Sequence, residues 1–176
     1  GSGWYDSGSS APFSVTSPAS GPVGTQYVCT GYSGDASGSG TSGSITMNGP
    51  KAVTFNWKTQ YYLTVNTNPA EVLTLNPAAA SGQGWYDSGS TATLNAFQNV
   101  DKAAGSSRYD FRSWTGATPT GPGNQASVLM DGPKTATANY QLQYKVTFTQ
   151  SGVGNDFTGT VATIDSTNYA KAALPA

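Results

Sequence analysis

Four sets of side chains have types and spacings that could do chemistry. Trp4, Trp85, Trp114 and Tyr32 recur at equivalent places and offer flat apolar faces on which sugar rings stack. Asp6 and Asp87 each precede Ser-Gly-Ser and are candidates for the carboxylate pair of a glycosidase. The run Ser33-Gly34-Asp35-Ala36-Ser37-Gly38 has the oxygen-rich, flexible character of a calcium loop. Cys29 is a lone thiol. A plainer structural reading is favoured in each case. Aromatics repeated in a small β module serve its core, because such a module buries little surface and needs large side chains. Asp6 and Asp87 lie in different repeats, so nothing brings them to the roughly 5–10 Å that hydrolysis requires. Asp-Ser-Gly also suits a turn closed by an Asx-type hydrogen bond. Calcium takes about six to eight oxygens, and the loop supplies one carboxylate. Cys29 stands in the alternation Tyr27-x-Cys29 and reads as a small buried hydrophobe. No catalytic, cofactor-binding or metal-ligating residue is expected, and no cofactor. Truncating Trp85 is expected to cost far more stability than truncating Asp35.

Composition removes further classes. The chain has no histidine, which excludes histidine metal sites and a Ser/His/Asp triad. Its 8 Lys and Arg are scattered and do not form the basic stripe that nucleic acid needs. No apolar run approaches the roughly 18 residues of a membrane span. An aromatic content of 11% with little charge is unlike a disordered chain. Serine and threonine are abundant and charges are sparse, as in secreted surface proteins, so an extracellular or cell-surface location is expected. There is no Asn-x-Ser/Thr sequon. The chain begins at Gly1 without Met or signal peptide, which reads as a mature form or an excised piece.

The elements that must position these residues come twice. Gly3-Trp4-Tyr5-Asp6-Ser7-Gly8-Ser9 recurs as Gly84-Trp85-Tyr86-Asp87-Ser88-Gly89-Ser90. Tyr27-x-Cys29-x-x-Tyr32-x-Gly34 matches Tyr109-x-Phe111-x-x-Trp114-x-Gly116, and Met47-Asn48-Gly49-Pro50-Lys51 matches Met130-Asp131-Gly132-Pro133-Lys134. Trp57 and Tyr140 then correspond. Gly-Pro at 49–50 and 132–133 marks a turn before each long alternation. Val53, Phe55, Trp57, Tyr61, Leu63 and Val65 share one parity, as do Ala136, Ala138, Tyr140, Leu142, Tyr144, Val146 and Phe148, so each set lies on one strand face. Thr91 to Ala96 alternates likewise. Residues 33–43 and 117–125 read as loops. No Gly or Pro interrupts 51–68, which predicts a continuous strand joining the repeats. The segment 61–81 predicts a strand Tyr62–Asn66, a turn near Pro69 and a second strand Glu71–Leu75.

This pattern, Gly-Trp-Tyr-Asp-x-Gly-Ser followed by Tyr-x-Phe-x-x-Trp-x-Gly and Met-x-Gly-Pro-Lys, resembles the extracellular tandem repeats related to the internalin B-repeat (Listeria–Bacteroides type). Such repeats occur in archaeal cell-surface and surface-layer-like proteins. The resemblance covers nearly all of residues 3–145. It implies small all-β modules with structural or adhesive roles and no catalysis.

The expected fold is all-β: tandem small β-sandwich modules of immunoglobulin-like type, with β-grasp topology left open, and a C-terminal donor-strand tail. Module 1 spans residues 1–60 and lacks its leading strands. Module 2 spans 61–143 and is complete. Residues 144–176 repeat a leading segment, with a second strand Phe157–Ile164, and are expected to complete module 1 of another subunit. The donor residues are Tyr144, Val146 and Phe148. Trp4, Trp85, Tyr32, Trp114, Trp57 and Tyr140 are expected in the cores. The expected function is a non-enzymatic structural subunit of a secreted filament or surface assembly, polymerising head to tail by donor-strand complementation. The expected partner is the chain itself. The alternative is an adhesin repeat that binds surface glycans.

Overall fold

The computed structural model describes residues 2–152 and 157–170. Among the described residues the fold is all-β apart from one short helix. The first half forms β1 (Ser10–Ser14), β2 (Ala19–Ser20), β3 (Thr25–Gly34), β4 (Ser42–Thr46) and β5 (Val53–Asn68). Next come α1 (Glu71–Leu75), β6 (Ala80–Ser81), β7 (Gly84–Asp87), β8 (Thr91–Ala96), β9 (Asn99–Ala103) and β10 (Ser107–Thr115). The chain continues through β11 (Thr118–Pro119), β12 (Gln125–Leu129), β13 (Lys134–Tyr144), β14 (Thr160–Ile164) and β15 (Thr167–Ala170).

The uninterrupted stretch after Gly49-Pro50 folds as the 16-residue strand β5, and the boundary drawn between residues 60 and 61 falls inside it. Its first part pairs antiparallel with β3, from Gly34 opposite Val53 to Thr25 opposite Tyr61. Its last part pairs in parallel with β13, from Lys134 opposite Leu63 to Asn139 opposite Asn68. Tyr61 pairs both Thr25 and Tyr86, and Leu63 pairs both Lys134 and Gly84. Each residue has one neighbour per side, so β3 and β13 lie end to end on one edge of β5, and β7 lies on the other. The halves touch where β3 meets β13. Gly24 (φ +73°) abuts Pro133 there, and a Cβ at Gly24 would lie 2.7 Å from the Pro133 Cβ. The Gly24 carbonyl also accepts a hydrogen bond from the Tyr62 N–H.

The second half is a two-layer structure. One layer orders β5-β13-β10-β9 and the other β11-β12-β8-β6. Period-2 alternation in β8 buries Ala92, Leu94 and Ala96 and exposes the residues between them. β12 buries Ala126 and Val128 opposite them. From the other layer come Tyr109, Phe111 and Trp114 of β10 and Ala136, Ala138 and Tyr140 of β13. The segment 61–81 adds Leu63, Val65, Val72, Ala79 and Ala80 to this one cluster. Equivalent β-bulges interrupt the two halves, between Cys29 and Gly31 and between Phe111 and Ser113.

Several expectations are corrected. Residues Glu71–Leu75 form a helix, not a second strand. The stretch Glu-Val-Leu-Thr-Leu does not alternate cleanly, and Glu and Leu favour helix. A single turn is enough to bury Val72 while Glu71 reaches Tyr109 and Lys102. In the tail, β14 begins at Thr160 and forms a hairpin with β15 around Asp165-Ser166, both at positive φ, as a two-residue turn requires. Residues 153–156 and 171–176 of the expected tail segment lie outside the described residues. Part of each expected loop is strand: Ser33 and Gly34 end β3, Ser42 begins β4, and Thr118–Pro119 form β11.

Trp114 and Tyr140 are buried, but Trp4, Trp57 and Trp85 are not core residues: they are 104%, 40% and 41% exposed. The reason is register. Trp85 projects from β7 onto Tyr62, with ring centroids 5.1 Å apart, on the outer side of the sheet. Trp4 precedes β1 and belongs to no strand. Trp57 and Tyr32 belong to a face that nothing covers fully. We therefore expect Trp114→Ala to cost roughly 3–5 kcal/mol and Trp85→Ala about 1 kcal/mol, closer to a surface change. Urea unfolding monitored by circular dichroism measures both. Equal losses would place the core elsewhere.

Candidate functional site

The repeat allows the two halves to be compared position by position, and the comparison exposes an open face. In the second half, β8 has two neighbours, β12 and β6. Its counterpart in the first half, β1, pairs with β4 alone among the described residues. Residues Lys134–Asn139 of β13 are flanked by β5, whereas no strand among the described residues pairs their counterparts 51–56 on the edge away from β3. Burial follows pairing. Tyr109 is 3% exposed and its counterpart Tyr27 38%; Tyr140 is 7% exposed and its counterpart Trp57 40%. The first half fills its interior with an edge-to-face cluster of Phe13, Tyr32 and Phe55, with centroids 4.9, 5.8 and 6.1 Å apart. All three stay half-buried, and Ala11 is the one fully buried hydrophobe of that half among the described residues.

The three donor positions lie at the other end. Tyr144 ends β13 opposite Ser107, and Val146 and Phe148 follow it; the three are 74%, 63% and 41% exposed, and among the described residues the segment past Tyr144 joins no strand, its Lys145 N–H donating to the Ser106 carbonyl. Among the described residues, an apolar alternation outside any sheet and an incompletely covered apolar face are thus present in one chain. The structure does not bring them together within it.

Each half starts with the same turn. The Ser9 N–H and hydroxyl both donate to the Asp6 carbonyl, and Ser90 does the same to Asp87. Gly8 and Gly89 N–H groups donate to the Met47 and Met130 carbonyls. The expected Asx-type bond is therefore replaced by serine bonds to the aspartate main chain, which leaves the carboxylates available. Asp87 uses its own: Lys58 Nζ lies 2.9 Å from Oδ2 and Gln60 Nε2 donates to Oδ1 at 2.7 Å. The Gln60 bond, then the Lys58 bond, hold the Asp87 carboxyl below its usual value. Among the described residues the Asp6 carboxylate has no hydrogen bond or ion pair.

The remaining candidates have structural settings. Asp35 accepts from the Ala52 N–H at 2.7 Å and faces Lys51 at 3.8 Å, which ties the loop to the start of β5. Cys29 is half-buried, its thiol 3.4 Å from the Gly31 carbonyl at the bulge. Among the described residues no cluster of three Cys, Asp or Glu could hold a metal ion, and no helix is long and apolar enough to cross a membrane. The sequence offered no warning of the cluster that pins α1. There the Tyr109 hydroxyl donates to Glu71, and Lys102 Nζ lies 3.0 Å from the same carboxylate. The Tyr109 bond, then the Lys102 bond, pull the Glu71 carboxyl down, and the Glu71 bond pushes Lys102 and Tyr109 up. The chain matches no protein-family model, no curated protein and no solved structure.

These shifts fix the pH response. Glu71, Asp87 and Asp131, the last held down by Lys134, have depressed folded values. Their contributions are present above the ordinary carboxyl range and fade as pH falls through the folded values. Tyr140 is pushed up to about 12 by burial, with its hydroxyl 2.8 and 2.9 Å from the Ala79 and Phe97 carbonyls. Its contribution is complete below pH ~10 and is lost as pH rises towards that value. We expect the melting temperature to be flat from about pH 5 to 9, to fall slightly in acid, and to fall more steeply above pH 10. Tyr140→Phe should flatten the alkaline limb and cost about 1–2 kcal/mol at neutral pH. Melting curves across pH test both limbs; an alkaline limb unchanged in the variant would assign it to another group. Asp35→Ala, which removes the Ala52 bond, should cost about 0.5–1.5 kcal/mol, read from urea midpoints.

Proposed function

We propose that the chain is a structural subunit of an extracellular filament or surface assembly, joined head to tail by donor-strand complementation, with no catalytic role. Each half is then a small immunoglobulin-like sandwich. The support for a sandwich over a β-grasp is the second layer β11-β12-β8-β6, which covers the sheet where a β-grasp would place a long helix.

One observation carries the reading: the second half is closed by Leu63, Val65 and the residues after them, while the equivalent face of the first half is open and the equivalent residues, Val146 and Phe148, are exposed. The occupant is accordingly the segment 144–152 of a second copy. Burying its two or three apolar side chains is worth roughly 1.5–3 kcal/mol each, comparable with the whole stability of a small domain at about 5–15 kcal/mol. Main-chain pairing supplies affinity and the alternating side chains set the register. Donor and acceptor lie at opposite ends of the chain, so the contact is heterologous and propagates as a filament. A second reading, an adhesin repeat that binds surface glycans, draws on the half-exposed Trp57 and Trp85.

The test uses the full chain carrying Val146→Asp and Phe148→Asp, at positions already exposed in the isolated chain. Electron microscopy and light scattering should show filaments for the parent and monomers for the variant, with the second half equally stable in both. A parent that stays monomeric, its open face covered by its own residues 144–152 or by chain ahead of residue 2, overturns the filament reading. Glycan-array binding by that monomer would favour the adhesin reading.

A further inference from the structure

The joint between the halves of one chain holds a hydrogen-bond relay that recurs, half-built, at the far end of the chain. Gln26 Nε2 donates to Gln60 Oε1 at 2.8 Å, and Gln60 Nε2 donates to Asp87 at 2.7 Å. The repeat places Arg108 where Gln26 stands, Gln143 where Gln60 stands, and Asp6 where Asp87 stands. Arg108 Nε already donates to Gln143 Oε1 at 2.9 Å. That bond occupies the amide oxygen and leaves the Gln143 NH₂ to donate outward. The backbone repeats as well. Tyr62 N–H donates to the Gly24 carbonyl at 2.9 Å, and Lys145 N–H donates to the Ser106 carbonyl, its counterpart, at 2.8 Å. Asp101 stands cross-strand from Arg108, but among the described residues no carboxylate accepts from the Gln143 amide as Asp87 accepts from Gln60.

Building on the donor-strand reading, we propose that the contact between subunits is a copy of the joint inside each subunit, and that Asp6 of one chain completes the Arg108–Gln143 relay of the next. The internal pairing then dictates the register. Gln60 opposite Asp87, Tyr62 opposite Trp85 and Leu63 opposite Gly84 become Gln143 opposite Asp6, Lys145 opposite Trp4 and Val146 opposite Gly3. Lys134 opposite Leu63 and Ala136 opposite Val65 become Lys51 opposite Val146 and Val53 opposite Phe148. The fully exposed Trp4 lands on Lys145, as Trp85 lands on Tyr62, and an ammonium replaces the phenol against the indole face.

The surface shapes agree with this. A cleft of about 740 Å³ lined by Asp101, Ser106, Arg108, Gln143 and Lys145 lies at one end of the chain. A cleft of about 630 Å³ lined by Trp4, Tyr5, Pro50 and Lys51 lies at the other. Counterparts of both linings, Gly24 and Tyr62 from one and Trp85, Pro133 and Lys134 from the other, surround a single hollow at the internal joint. The two end clefts are thus the separated halves of one joint.

Cysteine pairing tests the register in the full chain with Cys29→Ser. Directly opposed antiparallel residues have Cβ atoms about 4.5–5.5 Å apart, within reach of a disulfide after small adjustment. Trp4→Cys with Lys145→Cys should give a ladder of linked multimers on a non-reducing gel. Trp4→Cys with Val146→Cys, one residue out of register, should not. Asp6→Ala should raise the critical concentration for assembly about tenfold, equivalent to ~1.4 kcal/mol. In the unmodified filament, electron microscopy should show modules evenly spaced along the axis, at half the subunit rise. Filaments without the in-register ladder and with uneven module spacing would overturn this joint while leaving donor-strand assembly standing. A linked monomer with no ladder, from a chain that forms no filaments, would overturn both.

Discussion

Everything in this molecule depends on how the backbone of β5 is paired. Its N–H and C=O groups need partners along two edges, and no single neighbour is long enough to supply them. One edge is shared by β3 and β13, laid end to end. The other is taken by β7 for four residues only. One strand therefore carries both halves within a single seven-stranded sheet, and the halves are connected by hydrogen-bonded ladder rather than by a linker. The same strand explains the difference between the halves. Where β5 serves as the extra strand, the core closes; where it serves as the last strand of its own half, no strand among the described residues pairs residues 53–59 on the edge away from β3.

Side-chain volumes have adjusted to that difference. In the closed half, β13 turns Ala136 and Ala138 inward, because Leu63, Val65 and Val72 fill the space above them. In the open half the corresponding residues are Val53 and Phe55, and Phe13 stands where Leu94 is. Larger side chains have grown into a space that lacks a fully covering segment, and they recover part of the lost burial through aromatic edge contacts. The repeat sets Gln150 where Thr67 sits in the closed half, so both segments carry a polar residue at that position.

Much of the architecture was legible because it rests on period 2 and on turns. The alternation Thr91 to Ala96 is the strand β8 with its inward face buried, and the uninterrupted stretch 51–68 contains the strand that joins the halves. The internal repeat predicts equivalent neighbours for equivalent strands, and against that expectation the pairing of β1 differs from that of β8. The rest depended on tertiary context. Five residues from Glu71 carry too weak a pattern to separate helix from strand, and the partners that hold the helix, Lys102 and Tyr109, are more than thirty residues away. Repetition of Trp4 and Trp85 showed only that the position matters. It could not separate a buried face from an outer face at a joint, since both demand large apolar side chains.

A joint made from a shared strand has mechanical consequences. Bending at residues 61–63 would break ladder bonds on both edges together, and would drive Gly24 into Pro133, which already leave no room for a Cβ. The relay Gln26–Gln60–Asp87 and the Lys58 ion pair brace the same point from the outer side. Few of these restraints are charged. Most are main-chain or amide bonds, which salt hardly screens, and they run along a strand whose direction is shared by both halves. A chain built this way resists hinging at its centre by using only structure it already needs for folding. If every joint is made alike, that stiffness extends from one subunit to the next with no specialised linker, and polymer rigidity becomes a property of strand pairing itself.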